Sequence, residues 1–282
     1  MNRLVLLGTL TASLVGRAAT SAAQPLPSEP GPVVSMEWLQ QHLTDPRVHV
    51  VATGQRDQYD HAHIPGARFI DHMTTLGSGH HLLPADALTA SLAKAGAADG
   101  ARMVLYGDPM TMGWLFMAFA SVGHAGDVSM LDGGIELWQA EGRVVSMVPP
   151  PVAEGRLSVR LAPDVVVDAA WVRSRLDSPP VRVLDVRTIG EWTSGHLPGA
   201  TLVFWQDVFE DPRTLKFRSP DQLRALFTMV GVRPGQQIVT YCAVGMRASL
   251  MYWAAWTVGI PARVYVGSFE DWQQDSTNPV VR

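Results

Sequence analysis

The chain has 282 residues, of which 47% are hydrophobic and 17% charged, so it is long enough for two globular domains with ample apolar cores. Its formal net charge of −4 provides no basic field for nucleic acid and no polybasic patch for a membrane surface. A single cysteine excludes an internal disulfide and any cysteine-rich metal site.

Residues 1–23 have the pattern of a secretory signal peptide. Arg3 provides the positive start, Leu4 to Val15 form a short apolar run, and Ser21-Ala22-Ala23 offers a cleavage site. The run is too short to span a bilayer as a helix. We therefore expect an exported protein of a bacterial periplasm, with no membrane anchor after signal removal. The proline-rich residues 24–32 are predicted to be a linker.

From residue 33 onward the sequence repeats itself with an offset of 133 or 134 residues, as from His63 to His196 (196 − 63 = 133) and from Trp138 to Trp272 (272 − 138 = 134). Such a repeat predicts two similar domains in tandem. We place the first domain at residues 33–148 and the second at residues 165–282. Residues 149–164, which begin with three prolines, are the predicted connection.

Each copy alternates short β-rich runs with longer helical patterns, which predicts an α/β fold. The helix that opens each copy is predicted to be capped by Ser35 and by Asp168. The strand candidates are mostly apolar without clean alternation, as in parallel sheets covered by helices on both faces. They comprise residues 49–52, 103–105 and 128–131, then 181–186, 238–241 and 263–266. The helices after Asp108 and Cys242 are apolar nearly all round, so we expect both to be central and buried.

The single cysteine lies in the run Tyr241-Cys242-Ala-Val-Gly245-Met-Arg247, where a predicted strand gives way to a predicted helix. In an open parallel sheet, sites form beyond the carboxyl ends of the strands. A loop there turns backbone N–H groups inward, the helix adds its positive dipole end, and Arg247 adds a full charge. All three favour the thiolate, which is the nucleophilic form. We interpret Cys242 as a nucleophile, with an inert core cysteine as the alternative.

Four residues separate Cys242 from Arg247, and this spacing bears on the chemistry. Cysteine-dependent phosphatases carry five residues there, enough to enclose a phosphate. The shorter loop resembles that of the rhodanese family. Further motifs support the resemblance, namely Leu184-Asp-Val-Arg187, Glu191-Trp192, Gly195-His-Leu-Pro-Gly-Ala200 and Gly267-Ser-x-x-x-Trp272. Specifically, the chain is similar to the tandem-domain thiosulfate or 3-mercaptopyruvate sulfurtransferases.

The resemblance implies two rhodanese-like domains, of which the C-terminal one is catalytic and the N-terminal one has lost its cysteine. Asp108 stands at the equivalent place in the first copy, and a carboxylate cannot carry a sulfane sulfur. Because Pro109 follows it, we predict that Asp108 caps a helix.

The same resemblance implies sulfur transfer through a persulfide on Cys242, without a metal or an organic cofactor. The implied partners are a small anionic sulfur donor and a thiol or cyanide acceptor, or a protein as acceptor. The backbone N–H groups of the loop are predicted to hold the terminal sulfur. The loop residues are Ala243, Val244, Gly245, Met246 and Arg247.

Four more side chains are candidates for the substrate side of the site. Glu191 is the expected ion-pair partner of Arg247, with a solvated helix-start carboxylate as the alternative. Arg187, with Asp185, lies where the family places an arginine near the site, and a purely structural Asp–Arg bridge is the alternative. His81 falls in a segment that resembles one facing the interdomain cleft in mercaptopyruvate-type members.

The histidines also invite a metal interpretation. The pairs His61/His63 and His80/His81 lack a third ligand at a familiar spacing, so no metal site is predicted. His63 and His196 precede x-Pro-Gly turns, which favours a turn-stabilising role.

The sequence departs from the family pattern in the loop itself. Ala243 and Val244 are apolar, whereas thiosulfate enzymes carry basic residues there and mercaptopyruvate enzymes carry small polar ones. A less cationic mouth should bind the thiosulfate dianion weakly, so the donor is open. One alternative is a persulfide relay fed by a partner protein, with little turnover of small donors. Another is a non-catalytic binding module. A phosphatase or arsenate reductase ranks last because of the loop length.

Overall fold

The computed structural model describes residues 30–160, 162 and 165–282. The predicted signal peptide and residues 24–29 of the predicted linker lie outside the described residues.

The first repeat contains five strands and five α-helices in alternation. They are β1 (Val33–Val34), α1 (Met36–His42), β2 (Val48–Thr53), α2 (Arg56–His61), β3 (Arg68–Phe69), α3 (Ala85–Lys94), β4 (Arg102–Gly107), α4 (Pro109–Ser121), β5 (Val128–Leu131) and α5 (Ile135–Ala140). Short 3₁₀ turns lie at His72–Thr75, Ser78–His80 and Ala125–Asp127.

The second repeat follows the same order and adds a β-hairpin. Its elements are β6 (Val166–Val167), α6 (Ala169–Arg173), β7 (Val181–Asp185), α7 (Ile189–Ser194), β8 (Thr201–Leu202), β9 (Phe209–Asp211), β10 (Lys216–Phe217), α8 (Pro220–Met229), β11 (Gln237–Tyr241), α9 (Met246–Thr257), β12 (Ala262–Tyr265) and α10 (Ser268–Gln274). A 3₁₀ turn at Trp205–Val208 precedes the antiparallel hairpin β9–β10.

Two five-stranded parallel sheets form the framework, as the apolar strand runs predict. The strand order is β1-β5-β4-β2-β3 in the first sheet and β6-β12-β11-β7-β8 in the second. Every strand pair within these two sheets is parallel. The two orders are the same when the strands are numbered within each repeat without the hairpin β9–β10, so the sequence repeat is also a repeat of topology.

The helix caps form where the sequence predicts them. Ser35 accepts a hydrogen bond from the backbone N–H of Trp38, and Asp168 accepts one from that of Trp171. Asp108 caps α4 by accepting from the N–H of Thr111, with Pro109 at the first helical position. In each case the side chain satisfies one of the N–H groups that a helix start leaves unpaired.

Helices α4 and α9 pack against each other inside one continuous hydrophobic core. Gly113 lets the two backbones approach, since a Cβ there would lie 2.5 Å from the backbone nitrogen of Leu250. The Phe116 ring contacts Tyr252 and Trp256 at centroid distances of 5.9 and 5.1 Å. The expectation that both helices are central and buried is confirmed, because ten of the 13 residues of α4 and eight of the 12 residues of α9 are buried.

The opposite face of the second sheet has a smaller core, in which Val239 and Tyr241 of β11 pack with Trp272 of α10. The second sheet therefore carries helices on both faces, and its central strand β11 is covered on both sides. Among the described residues, no helix is long and apolar enough to cross a membrane.

Candidate active site

Cys242 lies immediately after β11, at the carboxyl end of the central strand of the second sheet. Strands β7 and β12 flank β11, so the loops after all three strands meet at the same edge. Helix α9 begins four residues later, at Met246. The parallel sheet therefore places the cysteine where sites form in folds of this kind.

The loop after Cys242 turns through Gly245, which has φ of 89°. That left-handed conformation favours glycine, and a side chain would clash because a Cβ would lie 2.7 Å from the Val266 carbonyl oxygen. The turn brings the backbone N–H of Gly245 to 3.1 Å from Cys242 Sγ, to which it donates. The loop thus presents a fixed hydrogen-bond donor to the sulfur, in a geometry that stabilises negative charge there.

The other side of the loop is tied to the start of α10. The backbone N–H of Cys242 donates to the Ser268 hydroxyl at 3.1 Å. The N–H groups of Phe269 and Glu270 donate to the carbonyl oxygens of Cys242 and Ala243 at 3.0 and 3.1 Å. These three bonds hold the first two loop residues from outside.

The thiol is almost fully buried, with Cys242 only 1% exposed. Burial by itself would fit an inert core cysteine, which the sequence left as the alternative. The polar surroundings argue against that alternative, because Sγ accepts from Gly245 and acts electrostatically on the Arg247 guanidinium. Ala243, Val244, Met246 and Arg247 are half-buried, so the loop separates the sulfur from solvent.

Arg247 and Glu191 form the ion pair that the sequence predicts. The guanidinium donates from both terminal nitrogens to both carboxylate oxygens, at 2.7 and 2.8 Å. The hydrogen bonds from Arg247, together with those from Thr188, lower the pKa of Glu191 to about 2. The carboxylate and the Cys242 thiol in turn raise the pKa of Arg247. The guanidinium that interacts with the sulfur is therefore neutralised by a carboxylate.

Glu191 has a second role at the start of α7, where the alternative placed a solvated carboxylate. It forms a capping box with Thr188 at the start of α7, in which the Thr188 hydroxyl accepts from the Glu191 N–H. The Glu191 carboxylate accepts from the Thr188 N–H at 3.0 Å. One side chain thus caps α7 and binds the arginine of the Cys242 loop.

Arg187 and Asp185, which were predicted as substrate-binding residues with a structural bridge as the alternative, form such a bridge. Both are buried, and Arg187 donates to Asp185 at 2.6 Å and to the Gly195 carbonyl at 2.7 Å. Asp185 also accepts from the Tyr241 hydroxyl, which in turn accepts from the Leu197 N–H. The alternative of a structural Asp–Arg bridge describes this cluster, because its polar groups bond one another inside the domain.

His81 lies on an exposed turn of the first domain, and its backbone bonds remain within that turn. His63 and His196 follow helices α2 and α7, where their Nδ1 atoms bond the carbonyl oxygens of Tyr59 and Trp192. Both rings thus bond carbonyls of the preceding helices, and the turn-stabilising role stays a prediction. In the part of the chain that the structure describes, no cluster of three or more metal-ligating side chains occurs.

Two contributors to the site were not predicted from the sequence. Tyr241 holds Asp185 from the strand next to it, and Ser268 holds the backbone of Cys242 from a separate helix. The repeat gives a sequence signal for both, since the first repeat has Tyr106 at the position of Tyr241. The serine stands where the first repeat has Gly134, at the same offset of 134 residues (268 − 134 = 134) that relates Trp138 to Trp272.

The rhodanese-like domain family matches this chain twice, over residues 35–141 and residues 168–275. The two matches cover most of the chain, one on each repeat. The chain therefore belongs to the rhodanese family and contains two rhodanese-like domains in tandem.

Individual relatives are similar at modest identity. The sulfur carrier protein TtuD of Thermus thermophilus is 27% identical over 275 residues, which cover 87% of this chain and 94% of that protein. The thiosulfate sulfurtransferase of Azotobacter vinelandii is 28% identical over 263 residues, covering 88% and 96%. The crystal structure of SseA from Escherichia coli, described as a 3-mercaptopyruvate sulfotransferase, superimposes with a TM-score of 0.75 at 23% identity and covers 85% of this chain and 99% of that one. Sulfurtransferases are thus among the relatives of this chain, and the fold is theirs.

Proposed function

We propose that the protein is a sulfurtransferase that moves a sulfane sulfur from a small donor to a thiol or cyanide acceptor through a persulfide on Cys242. The observation that carries this proposal is the 3.1 Å contact between the Gly245 N–H and Cys242 Sγ, on a loop that also carries Arg247. An N–H group held against the sulfur stabilises a thiolate, and the same loop can stabilise the negative charge of a persulfide.

In the first step, the Cys242 thiolate attacks the outer sulfur of the donor and forms a new S–S bond. With thiosulfate, the old S–S bond breaks and its electron pair leaves on sulfite. With 3-mercaptopyruvate, the C–S bond breaks, its electron pair leaves on carbon, and protonation of that carbon gives pyruvate. Either route leaves a persulfide on Cys242.

In the second step, a thiolate or cyanide attacks the terminal sulfur, and the persulfide S–S bond breaks. Its electron pair returns to Cys242, which regenerates the thiolate. The products are the persulfide of the acceptor thiol or thiocyanate. The two half-reactions predict ping-pong kinetics, because donor product leaves before the acceptor reacts.

The charge of the loop favours the singly charged donor of the two. Glu191 occupies both terminal nitrogens of Arg247, and Ala243 and Val244 add no charge. A dianion such as thiosulfate gains little from a guanidinium that a carboxylate already neutralises. We therefore place 3-mercaptopyruvate ahead of thiosulfate as the donor.

Intact mass of the protein after exposure to each donor tests the proposal, with Cys242→Ser as the control. We expect one added sulfur atom on the wild type, its loss on adding cyanide, and no addition to the serine variant. Sulfur transfer by Cys242→Ser would overturn the assignment. If neither small donor adds sulfur, a partner-fed persulfide relay or a binding module becomes the better description.

We also propose that the protein is exported and acts in the periplasm, on the signal pattern of residues 1–23. Expression of the full chain in a bacterium, followed by cell fractionation and N-terminal sequencing, tests this. A periplasmic product that begins near Gln24 supports export. A product that stays in the cytoplasm with residues 1–23 attached contradicts it.

A further inference from the structure

Ser268 has a backbone conformation that is unfavourable for its residue type. Its φ is 56°, in the left-handed region that favours glycine, and its side chain is completely buried. Asn and Asp are tolerated better than serine in this region, and glycine better still. Backbone strain of this kind persists only where surrounding contacts fix the residue, and strained residues cluster at functional sites.

The Ser268 hydroxyl joins the ends of two neighbouring strands. It donates to the Tyr265 carbonyl at the end of β12, at 2.8 Å, and accepts from the Cys242 N–H just after β11, at 3.1 Å. The hydroxyl thus donates one hydrogen bond and accepts one, both with backbone groups, and one of these groups belongs to Cys242.

The first repeat provides an internal comparison, because it has the same fold without a cysteine. The strand register places Gly107, and not the predicted Asp108, at the position of Cys242, because Tyr106 pairs with Ala52 as Tyr241 pairs with the corresponding Asp185. Gly134 occupies the place of Ser268 and has φ of −94°. The fold therefore forms without a serine at this place, and the strained serine occurs only in the repeat that carries the cysteine.

We infer that Ser268 is a positioning residue for the sulfur-transfer reaction, which holds the Cys242 backbone so that Sγ faces the Gly245 N–H. This inference rests on the proposed function. Ser268 acts from outside the loop, because its hydroxyl binds the Cys242 N–H and leaves Sγ to accept from Gly245. A loop that loses this contact can rotate at Cys242, and small misplacements of a reacting group are costly in rate.

Two substitutions separate the hydroxyl from the backbone strain. Ser268→Gly removes the hydroxyl and relieves the strain at the positive φ, which offsets part of the cost of the two lost hydrogen bonds. Ser268→Ala removes the hydroxyl and keeps the Cβ. Ser129→Ala is the matched control, since Ser129 is also fully buried and its hydroxyl donates to one backbone carbonyl, that of Gly31 at 2.7 Å.

The first measurement is the rate at which iodoacetamide alkylates Cys242 across a pH range. The second is steady-state kinetics, which show whether a substitution changes kcat or KM. We expect roughly tenfold slower alkylation and a roughly tenfold lower kcat for both Ser268 variants, with KM nearly unchanged, as for the loss of one positioning contact. Ser129→Ala should retain wild-type rates, although its thermal midpoint falls.

Wild-type alkylation rates and kcat in Ser268→Gly would overturn the inference. The same result in Ser268→Ala alone would also overturn it, because the hydroxyl would then not be the positioning group. Alkylation needs no sulfur donor. A wild-type protein that forms no persulfide would therefore count against the proposed function, while the alkylation ratio would still decide the role of Ser268.

Discussion

The guanidinium of Arg247 and the carboxylate of Glu191 meet through two hydrogen bonds, of 2.7 and 2.8 Å, beside the only cysteine of the chain. The pair joins the start of α9 to the start of α7. It gives the loop an ordered arginine without giving it a net positive charge. We therefore expect donor choice, acid stability and the conformation of α7 to depend on the same contact.

Replacing Glu191 should change which donor the protein uses. In Glu191→Gln the guanidinium is no longer neutralised, and we expect roughly fivefold lower KM for thiosulfate, the size of a partly exposed charge interaction. Because salt screens such an interaction, the gain should shrink at high ionic strength. Steady-state kinetics with both donors measure the effect.

Glu141→Gln is the matched control, since that carboxylate pairs with Arg143 on the surface of the first domain. It should leave both KM values unchanged. An unchanged KM for thiosulfate in Glu191→Gln would show that the ion pair does not set donor choice.

The ion pair should also make stability depend on pH in the acid range. The pKa of Glu191 is about 2 in the folded protein, below its usual 4.5, so the folded state favours the charged carboxylate. The pair therefore stabilises the protein fully above about pH 4.5, and this contribution is lost as the pH falls through about 2.

Thermal midpoints of the wild type and Glu191→Gln, compared from neutral pH downward, test this. The difference should be constant near neutral pH and should shrink below about pH 4.5, where the unfolded carboxylate takes up its proton. A difference that does not vary with pH would contradict the expectation.

Arg187 should prove important for folding and unimportant for donor binding. In Arg187→Met the Asp185 carboxylate is left buried without its ion partner, and we expect a loss of about 3–5 kcal/mol in the free energy of unfolding. The folded fraction should keep the wild-type KM, because the guanidinium binds only groups inside the domain. Urea unfolding and steady-state kinetics provide the two measurements.

Arg224→Met serves as the comparison, since Arg224 pairs with Asp221 at an exposed surface. Its effect on stability should be below about 1 kcal/mol. A stable Arg187→Met with a raised KM would restore the substrate-binding interpretation.

The contact between α4 and α9 should tolerate no side chain at Gly113. A Cβ there would lie 2.5 Å from the Leu250 backbone nitrogen, so Gly113→Ala should destabilise the protein by about 1–3 kcal/mol. The steric cost of the Cβ should therefore exceed the gain of about 1 kcal/mol in helix propensity that alanine has over glycine in a helix interior. Gly126→Ala is the control, because nothing lies within 4 Å of a Cβ at Gly126. A Gly113→Ala protein as stable as the wild type in urea would mean that the helices separate at little cost.

Much of the fold could be predicted because it depends on local patterns. Apolar runs predicted the longer strands. Three helix starts were predicted from Ser35, Asp108 and Asp168, since capping requires only residues close together in sequence. The two-residue edge strands β1, β3, β6 and β8 were not predicted, because runs so short carry no periodicity.

The candidate site was predictable only in part. Cys242, Gly245 and Arg247 stand within six residues of one another, so their common loop is visible in the sequence. The direction in which Arg187 points is not visible in the sequence, because the same motif is compatible with an arginine that faces the site and with one that faces the interior. The carboxylate of Asp185, held by Tyr241, decided for the inward one.

The sequence by itself determined the repeat, the order of the elements and the loop that carries the nucleophile, because these follow from residues close together along the chain. Only the tertiary structure decided between the two alternatives for Glu191 and showed that Ser268 meets that loop. Glu191 is 56 residues from Arg247 and Ser268 is 26 residues from Cys242 along the chain. Their contacts exist because parallel pairing brings the carboxyl ends of β7, β11 and β12 to one edge, where side chains distant in sequence become neighbours.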